Sequence, residues 1–347
     1  MSRPESEVSF YKEQALSVFE PSPEVVKAVD GIVNQMEAEA RAAGKEPNGK
    51  YRYIERLSRG IDRNPRTGVK YALFTDPDRQ EVNSDTEAIL VPGPFATDLK
   101  TMVLIGEMTR RIAKFADCRD RFGRVLPVIM FSAPVADAGV RLNSSQVRQV
   151  KMGNFRPIAE KYLETTEEFI PGLEKVHIMG VSFGGGMVPV LANLAVESGK
   201  QVGGLIMGVP GNMKQGRGII DLTQCFASEG AAMSPYLNNH RQGVFRKTEV
   251  AGVGAMIRQA SNNLALLQGL AAGSFFEDLS VFNKRCPNVP SYMFFTDGDT
   301  VARTEYATDK LGAFTNLNAA TLPTRERHGV VYNQHILGQA ILTALSK

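Results

Sequence analysis

From Ala88 onward, short apolar runs alternate with stretches of helical periodicity, and this alternation restricts the fold more than any other feature of the chain. The run 88–91 precedes a helical pattern over 99–116, the run 125–131 precedes one over 156–169, and the run 176–179 precedes one over 185–198. A further apolar run, 203–209, follows. Continuous apolar runs suit strands covered on both faces, and a helix between successive strands is the connection that parallel strands need. The predicted fold class is therefore α/β, with a mostly parallel sheet flanked by helices.

Two regions depart from that rhythm. Residues 210–288 are rich in glycine, methionine and polar side chains, with helix-like pieces around 264–270 and no convincing strand, and they read as an inserted cap. The strand pattern resumes at 291–295, followed by an expected helix over 302–314, a run at 319–322 and a final helix over 331–345. At the other end, residues 1–50 read as an N-terminal extension. Ser22-Pro23-Glu24 opens a helical stretch over 25–43 and Gly44 closes it. Segments 51–57 and 69–74 are expected as strands joined by the turn Asn64-Pro65-Arg66-Thr67-Gly68. The expected organisation is an extension (1–50), a core (51–209), a cap (210–288) and the rest of the core (289–347).

Composition narrows the class of partner. Of 347 residues 43% are hydrophobic, enough for a substantial core, and 40 Lys and Arg against 37 Asp and Glu leave a net charge of only +3. That balance argues against nucleic acid or a polybasic membrane contact, and the isolated basic run 241–247 around Phe245 reads as a solvated face. No apolar run approaches the ~18 residues of a membrane span, and the opening Met-Ser-Arg-Pro-Glu-Ser-Glu lacks the pattern of an export signal. Cys118, Cys225 and Cys286 are scattered and without CxxC spacing, which fits reduced thiols, so a cytoplasmic location is expected.

The chemistry centres on Gly180-Val181-Ser182-Phe183-Gly184, a G-x-S-x-G placed directly after a predicted strand and before a predicted helix. A sharp strand-to-helix turn forces Ser182 into a strained conformation, and side chains two residues to either side would collide, which gives both glycines a steric reason. A serine hydroxyl needs a base, and a base needs an orienting carboxylate. Four histidines are available. His177 lies within the strand, His240 sits among Asn238, Asn239 and Arg241 in the cap, and His335 lies in the last helix pattern, whereas His328 stands in the loop after the last strand, where functional groups collect. The carboxylate is expected from Thr296-Asp297-Gly298-Asp299-Thr300, with Asp299 the choice and Asp297 the alternative two residues away. A calcium loop is excluded because Val301 falls at a ligand position, and the glycine spacing of 211–218 is not a P-loop because Arg217 and Gly218 stand where lysine and a hydroxyl are needed.

With these three motifs in the order serine, acid, histidine, the chain from about residue 88 onward resembles the α/β-hydrolases. The resemblance implies Ser182 as nucleophile, His328 as general base and acid, and Asp299 as the orienting carboxylate. It also implies an oxyanion hole formed by the N–H of Phe183 and a second donor after the first core strand, here in Pro92-Gly93-Pro94-Phe95-Ala96. Because Pro94 has no N–H, that donor shifts to Phe95 or to Ala96. The function implied is a serine hydrolase, a carboxylic ester hydrolase working through an acyl-enzyme on a small-molecule ester or acyl substrate, with no metal or organic cofactor. Thioester hydrolysis and acyl transfer use the same serine and stay open. A hydrolase fold kept as a non-catalytic binding module is the reading from another class. Met213, Met233, Tyr236, Met256 and Phe275 are expected to line an apolar acyl pocket or simply to pack, and self-association is left open.

Overall fold

The computed structural model describes residues 16–45, 52–77, 82, 84–94, 99–133, 140, 142–239, 260–324 and 327–346. In chain order the elements are β1 (Ser17–Val18), α1 (Pro23–Ala43), α2 (Arg52–Ser58), β2 (Ile61–Arg63), β3 (Lys70–Phe74), β4 (Glu87–Pro92), α3 (Leu99–Phe115), β5 (Val128–Phe131), α4 (Ser144–Lys151), α5 (Arg156–Phe169), β6 (Lys175–Val181), α6 (Phe183–Glu197) and β7 (Gln201–Gly208). They continue with α7 (Ile219–Asn239), α8 (Ala260–Ala272), α9 (Phe275–Arg285), β8 (Ser291–Thr296), α10 (Thr308–Leu311), β9 (Leu317–Leu322) and α11 (Gln334–Leu345).

One nine-stranded sheet runs in the order β1-β9-β8-β7-β6-β4-β5-β3-β2. From β5 to β1 every neighbouring pair is parallel, and β3 and β2 add antiparallel strands at one edge. The central strands are buried on both faces, as in Val128–Phe131 and Ser291–Thr296, which is why they read as continuous apolar runs without alternation. The chain places β5 on one side of β4 and then crosses to β6 on the other. The sheet's switch point thus lies at the carboxyl ends of β4 and β6, where such folds bind ligands. Helix α6 is buried over almost its whole length between the sheet, α5 and α9, so it is apolar all round and lacks a polar face.

Several elements differ from the sequence-based expectation. Segment 51–57 was expected as a strand, but Arg52–Ser58 is helical. Tyr53 and Ile54 are buried and Leu57 packs beside them, and this i, i+1, i+4 set faces α1 and α3. The strand of that hairpin is Ile61–Arg63, and the turn lies where expected: the Asn64 side-chain oxygen accepts from the N–H groups of Arg66 and Thr67, each at 2.9 Å. Helix α4 was not anticipated, although Asn143 and Gln146 form a reciprocal capping box at its start. The helix expected over 302–314 is a 3-10 turn at Thr304–Tyr306 followed by the single turn α10.

Between β7 and β8 the described residues contain no strand. Helix α9 buries Phe275, Leu279 and Phe282 against α6, and Asn193 donates its side-chain amide to the Asp278 carbonyl at 2.7 Å. The layer flanking the sheet therefore resumes at Phe275, ahead of residue 288, and Phe275 itself is a core side chain. Among the described residues no helix is long and apolar enough to cross a membrane.

Candidate active site

Ser182 links β6 to α6 with φ 57° and ψ −124°, a positive φ that side chains other than glycine rarely adopt. Close backbone approach on three sides holds it there. A Cβ on Gly180 would lie 2.3 Å from the Gly184 carbonyl, one on Gly184 would lie 2.1 Å from the Pro92 oxygen, and one on Gly185 would lie 2.8 Å from the Gly208 oxygen. The glycines thus let β4, β7 and the first turn of α6 converge on the serine. The Ser182 N–H donates to the Gly208 carbonyl at 2.8 Å, and its own carbonyl accepts from Gly186 at 3.0 Å and Gly211 at 3.1 Å.

The turns after β8 and β9 bring two further groups to this point. His328 stands in a 3-10 turn, Arg327–Tyr332, and its Nε2 is 2.7 Å from Ser182 Oγ. Its Nδ1 is 2.8 Å from Asp299 Oδ2. Asp299 Oδ1 accepts from the N–H groups of Val301 at 2.7 Å and Ala302 at 2.8 Å, which fixes the carboxylate plane. With Asp299 ionised, Nδ1 carries the proton and donates it to Oδ2. Nε2 is then left to accept from the serine hydroxyl. Ser182, His328 and Asp299 are 4%, 7% and 3% exposed as whole residues, so these bonds operate out of bulk water.

Burial disfavours a charged imidazole at His328. The charge of Asp299 and its hydrogen bond, with a smaller push from Glu229, outweigh burial and the opposing charge of Arg217, and raise the group above its ordinary range. For Asp299 burial acts upward, but the charge and hydrogen bond of His328 and the two backbone donors hold the carboxyl below its ordinary range.

The remaining candidates lie elsewhere. Asp297 is exposed on the turn, where Gly298 takes a positive φ of 70°. His335 pairs with Asp30 of α1 at 2.7 Å. His177 packs against Gly203 across the β6–β7 pair and is pushed down to about 4, chiefly by burial and then by the charge of Lys175. His240, Met256 and the basic run 241–247 lie outside the described residues, as do the side chains of Met233 and Tyr236.

Of the expected oxyanion donors, Phe183 is the first residue of α6, so its N–H has no intrahelical acceptor one turn back. Phe95 and Ala96 lie outside the described residues; the amide of the nearby Gly93 is occupied by the Phe131 carbonyl at 2.9 Å.

Two buried charged residues at this site escaped sequence reasoning. Arg217, noticed only as a residue that breaks a P-loop pattern, donates to the carbonyls of Thr300 and Val301, each at 2.8 Å. Glu229 accepts from Thr300 and from the backbone of His328. The sequence signal at Glu229 is a lone charge within small and apolar neighbours, Phe226-Ala227-Ser228-Glu229-Gly230-Ala231-Ala232, and Arg217, with Lys214 and Asp221 nearby, lacks even that.

No protein-family model matches the chain, and no curated protein matches it. Solved structures do. The enol-lactonase of Burkholderia xenovorans LB400 superposes with a TM-score of 0.55 at 9% identity, covering 81% of this chain and 98% of that one. MGS-M2, an α/β-hydrolase enzyme from a Medee basin deep-sea metagenome library, superposes with a TM-score of 0.51 at 12% identity, covering 82% and 96%. At such identities the likeness speaks for architecture alone, and it agrees with the strand order and the strand-to-helix turn at Ser182: the chain has the α/β-hydrolase fold.

Proposed function

We propose that this protein is a serine hydrolase that cleaves carboxylic esters through an acyl-enzyme on Ser182. The observation that carries the reading is the continuous row Ser182 Oγ, His328 Nε2, His328 Nδ1, Asp299 Oδ2, with steps of 2.7 and 2.8 Å, at the carboxyl edge of the sheet. In this reading Oγ attacks the ester carbonyl carbon as Nε2 takes its proton, and Asp299 stabilises the resulting imidazolium. The tetrahedral oxyanion accepts from the Phe183 N–H, a preorganised donor of the kind worth about 3 kcal/mol. As the carbon–oxygen bond to the alcohol breaks, the imidazolium returns the proton to the departing oxygen. Water then enters, gives its proton to Nε2 and attacks the acyl carbon, and the acid leaves as Oγ is reprotonated.

The insertion supports an apolar acyl group. Leu270 comes within 3.6 Å of where a Gly211 Cβ would sit, beside the Ser182 carbonyl carbon, and the Phe226 ring stands edge-on to His328 at 6.3 Å. We place the enzyme in the cytoplasm, in keeping with Cys118, Cys225 and Cys286, none of which is in a disulfide.

The test is covalent labelling with a fluorophosphonate followed by intact mass measurement. One adduct on the wild type and none on Ser182→Ala is expected, since only an activated, accessible serine reacts. A folded wild type that takes up no label would overturn the reading.

The pH profile offers a separate check. General-base catalysis needs neutral His328, whose proton affinity is raised above the ordinary 6.5, so kcat/KM should climb with pH and reach half its plateau above about 6.5. A flat profile from about pH 5 to 8 would count against a histidine base.

A further inference from the structure

One buried carboxylate outside the row touches both loops that carry it. Glu229 lies on α7, in the insertion, and is 2% exposed. Its Oε1 accepts from the Thr300 N–H at 2.8 Å and from the Thr300 hydroxyl at 2.7 Å, and its Oε2 accepts from the His328 N–H at 3.3 Å. Thr300 is the residue after Asp299, so a single side chain bridges the turn of the acid and the turn of the base. From the start of the same insertion, Arg217 bonds the Thr300 and Val301 carbonyls and is itself held by Asp221 at 2.6 Å.

Burying a carboxylate strips it of water and is unfavourable unless donors meet it. A space that only needed filling would be served better by an apolar side chain. Here the donors that meet the carboxylate belong to the two turns whose relative placement sets the His328–Asp299 bond. Among the described residues the charged groups that act on His328 are Asp299 on the acid turn and Glu229 and Arg217 from the insertion, with the Phe226 ring at its edge, while the side chain of Arg327, its neighbour in the chain, lies against Gly298.

We propose that Glu229 is a positioning residue: through Thr300 and the His328 amide it fixes Asp299 and His328 against each other, and so makes their alignment depend on the seating of α7. The proposal rests on the reading of Ser182 as nucleophile and deepens it, because the insertion then helps assemble the site as well as cover it.

The decisive variant is Glu229→Gln. An amide of the same shape has one acceptor and one donor end, so either the Thr300 or the His328 N–H must face an NH2 group. Misalignment of reacting groups by about 1 Å costs on the order of 100-fold. The expected result is a kcat about 10- to 100-fold lower with KM within about twofold, and a fluorophosphonate labelling rate that falls with kcat. The acid limb of the pH profile should also move to lower pH, because one negative charge beside His328 is gone. Thr300→Val removes only the hydroxyl donor, so a smaller loss of kcat is expected, and combined with Glu229→Gln the loss should be smaller than the product of the two single losses.

A purely structural Glu229 would lower thermal stability while leaving kcat per labelled serine and the acid limb untouched, and that result in folded Glu229→Gln overturns the proposal. Should Glu229→Gln fail to fold, wild-type kcat in Thr300→Val overturns it instead. Wild type labelled in parallel keeps the two ideas apart: an unlabelled wild type defeats the serine hydrolase reading, whereas full-rate labelling of Glu229→Gln defeats only this one.

Discussion

Ser182→Ala is expected to lower kcat by about 10^6-fold without unfolding the protein, because in serine hydrolases the members of the row act as one unit and losing the nucleophile removes its whole contribution. The backbone at this position is set by contacts among Gly180, Gly184, Pro92 and Gly208, none of which involves the hydroxyl. Alanine keeps the Cβ that serine already carries, so no new clash arises. Among the described residues the side-chain bond lost is that to His328 Nε2. Steady-state rates on a short-chain ester, together with a thermal melt, check both halves of the statement. A melting temperature near that of wild type with activity retained would show that the serine is not the nucleophile.

The second large effect is expected at the acid. Asp299→Asn should reduce kcat by about 10^4-fold, whereas Asp297→Asn should stay within about twofold. The asymmetry follows from the hydrogen bonds. Oδ1 of Asp299 is committed to the amides of Val301 and Ala302, so an asparagine keeps its oxygen there and turns its NH2 toward His328 Nδ1. Nδ1 must then accept, which moves the ring proton to Nε2, and a protonated Nε2 cannot take the proton of Ser182. Asp297, exposed two residues earlier, has no such role in the geometry. Parallel measurement of the two variants, each checked for folding by circular dichroism, decides the matter. A greater loss at Asp297 would place the orienting carboxylate two residues upstream.

What the sequence made legible was whatever depends on local pattern. The buried strands around Leu90, Ile129, Ile178 and Phe294 stand out because parallel strands covered on both faces must be continuously apolar. The turn at Ser182 stands out because its glycines answer a steric demand that is local in the chain. Segment 52–58 was misread because Tyr53 and Ile54 favour strands intrinsically, and the faces of α1 and α3, outside the segment itself, select the helix. The expected helix over 302–314 is a 3-10 turn at Thr304–Tyr306 and a single turn at Thr308–Leu311, although the Val301 and Ala302 amides that Asp299 accepts are the kind a helix start leaves free. Glu229 was invisible for a related reason. Its partners lie 71 and 99 residues away, and no local pattern announces a carboxylate that will be matched across such a distance.

Strand β1 pairs in parallel with β9, and α1 packs on α11, where Val29 fills the space above Gly338 and Asp30 meets His335. The bonds that tie these segments span 302 and 305 residues. At roughly 5 to 20 residues per second, the apolar stripe of Val29, Val33, Met36 and Ala40 leaves the ribosome something like 15 to 60 seconds before α11 is made. During that interval α2 and α3 can meet α1, but the part of the stripe that α11 covers stays bare. Synthesis therefore carries a window of aggregation risk that the finished molecule no longer shows, and a chaperone holding the early helix, or a slower growth temperature, should act on yield while leaving the stability of the folded protein as it is.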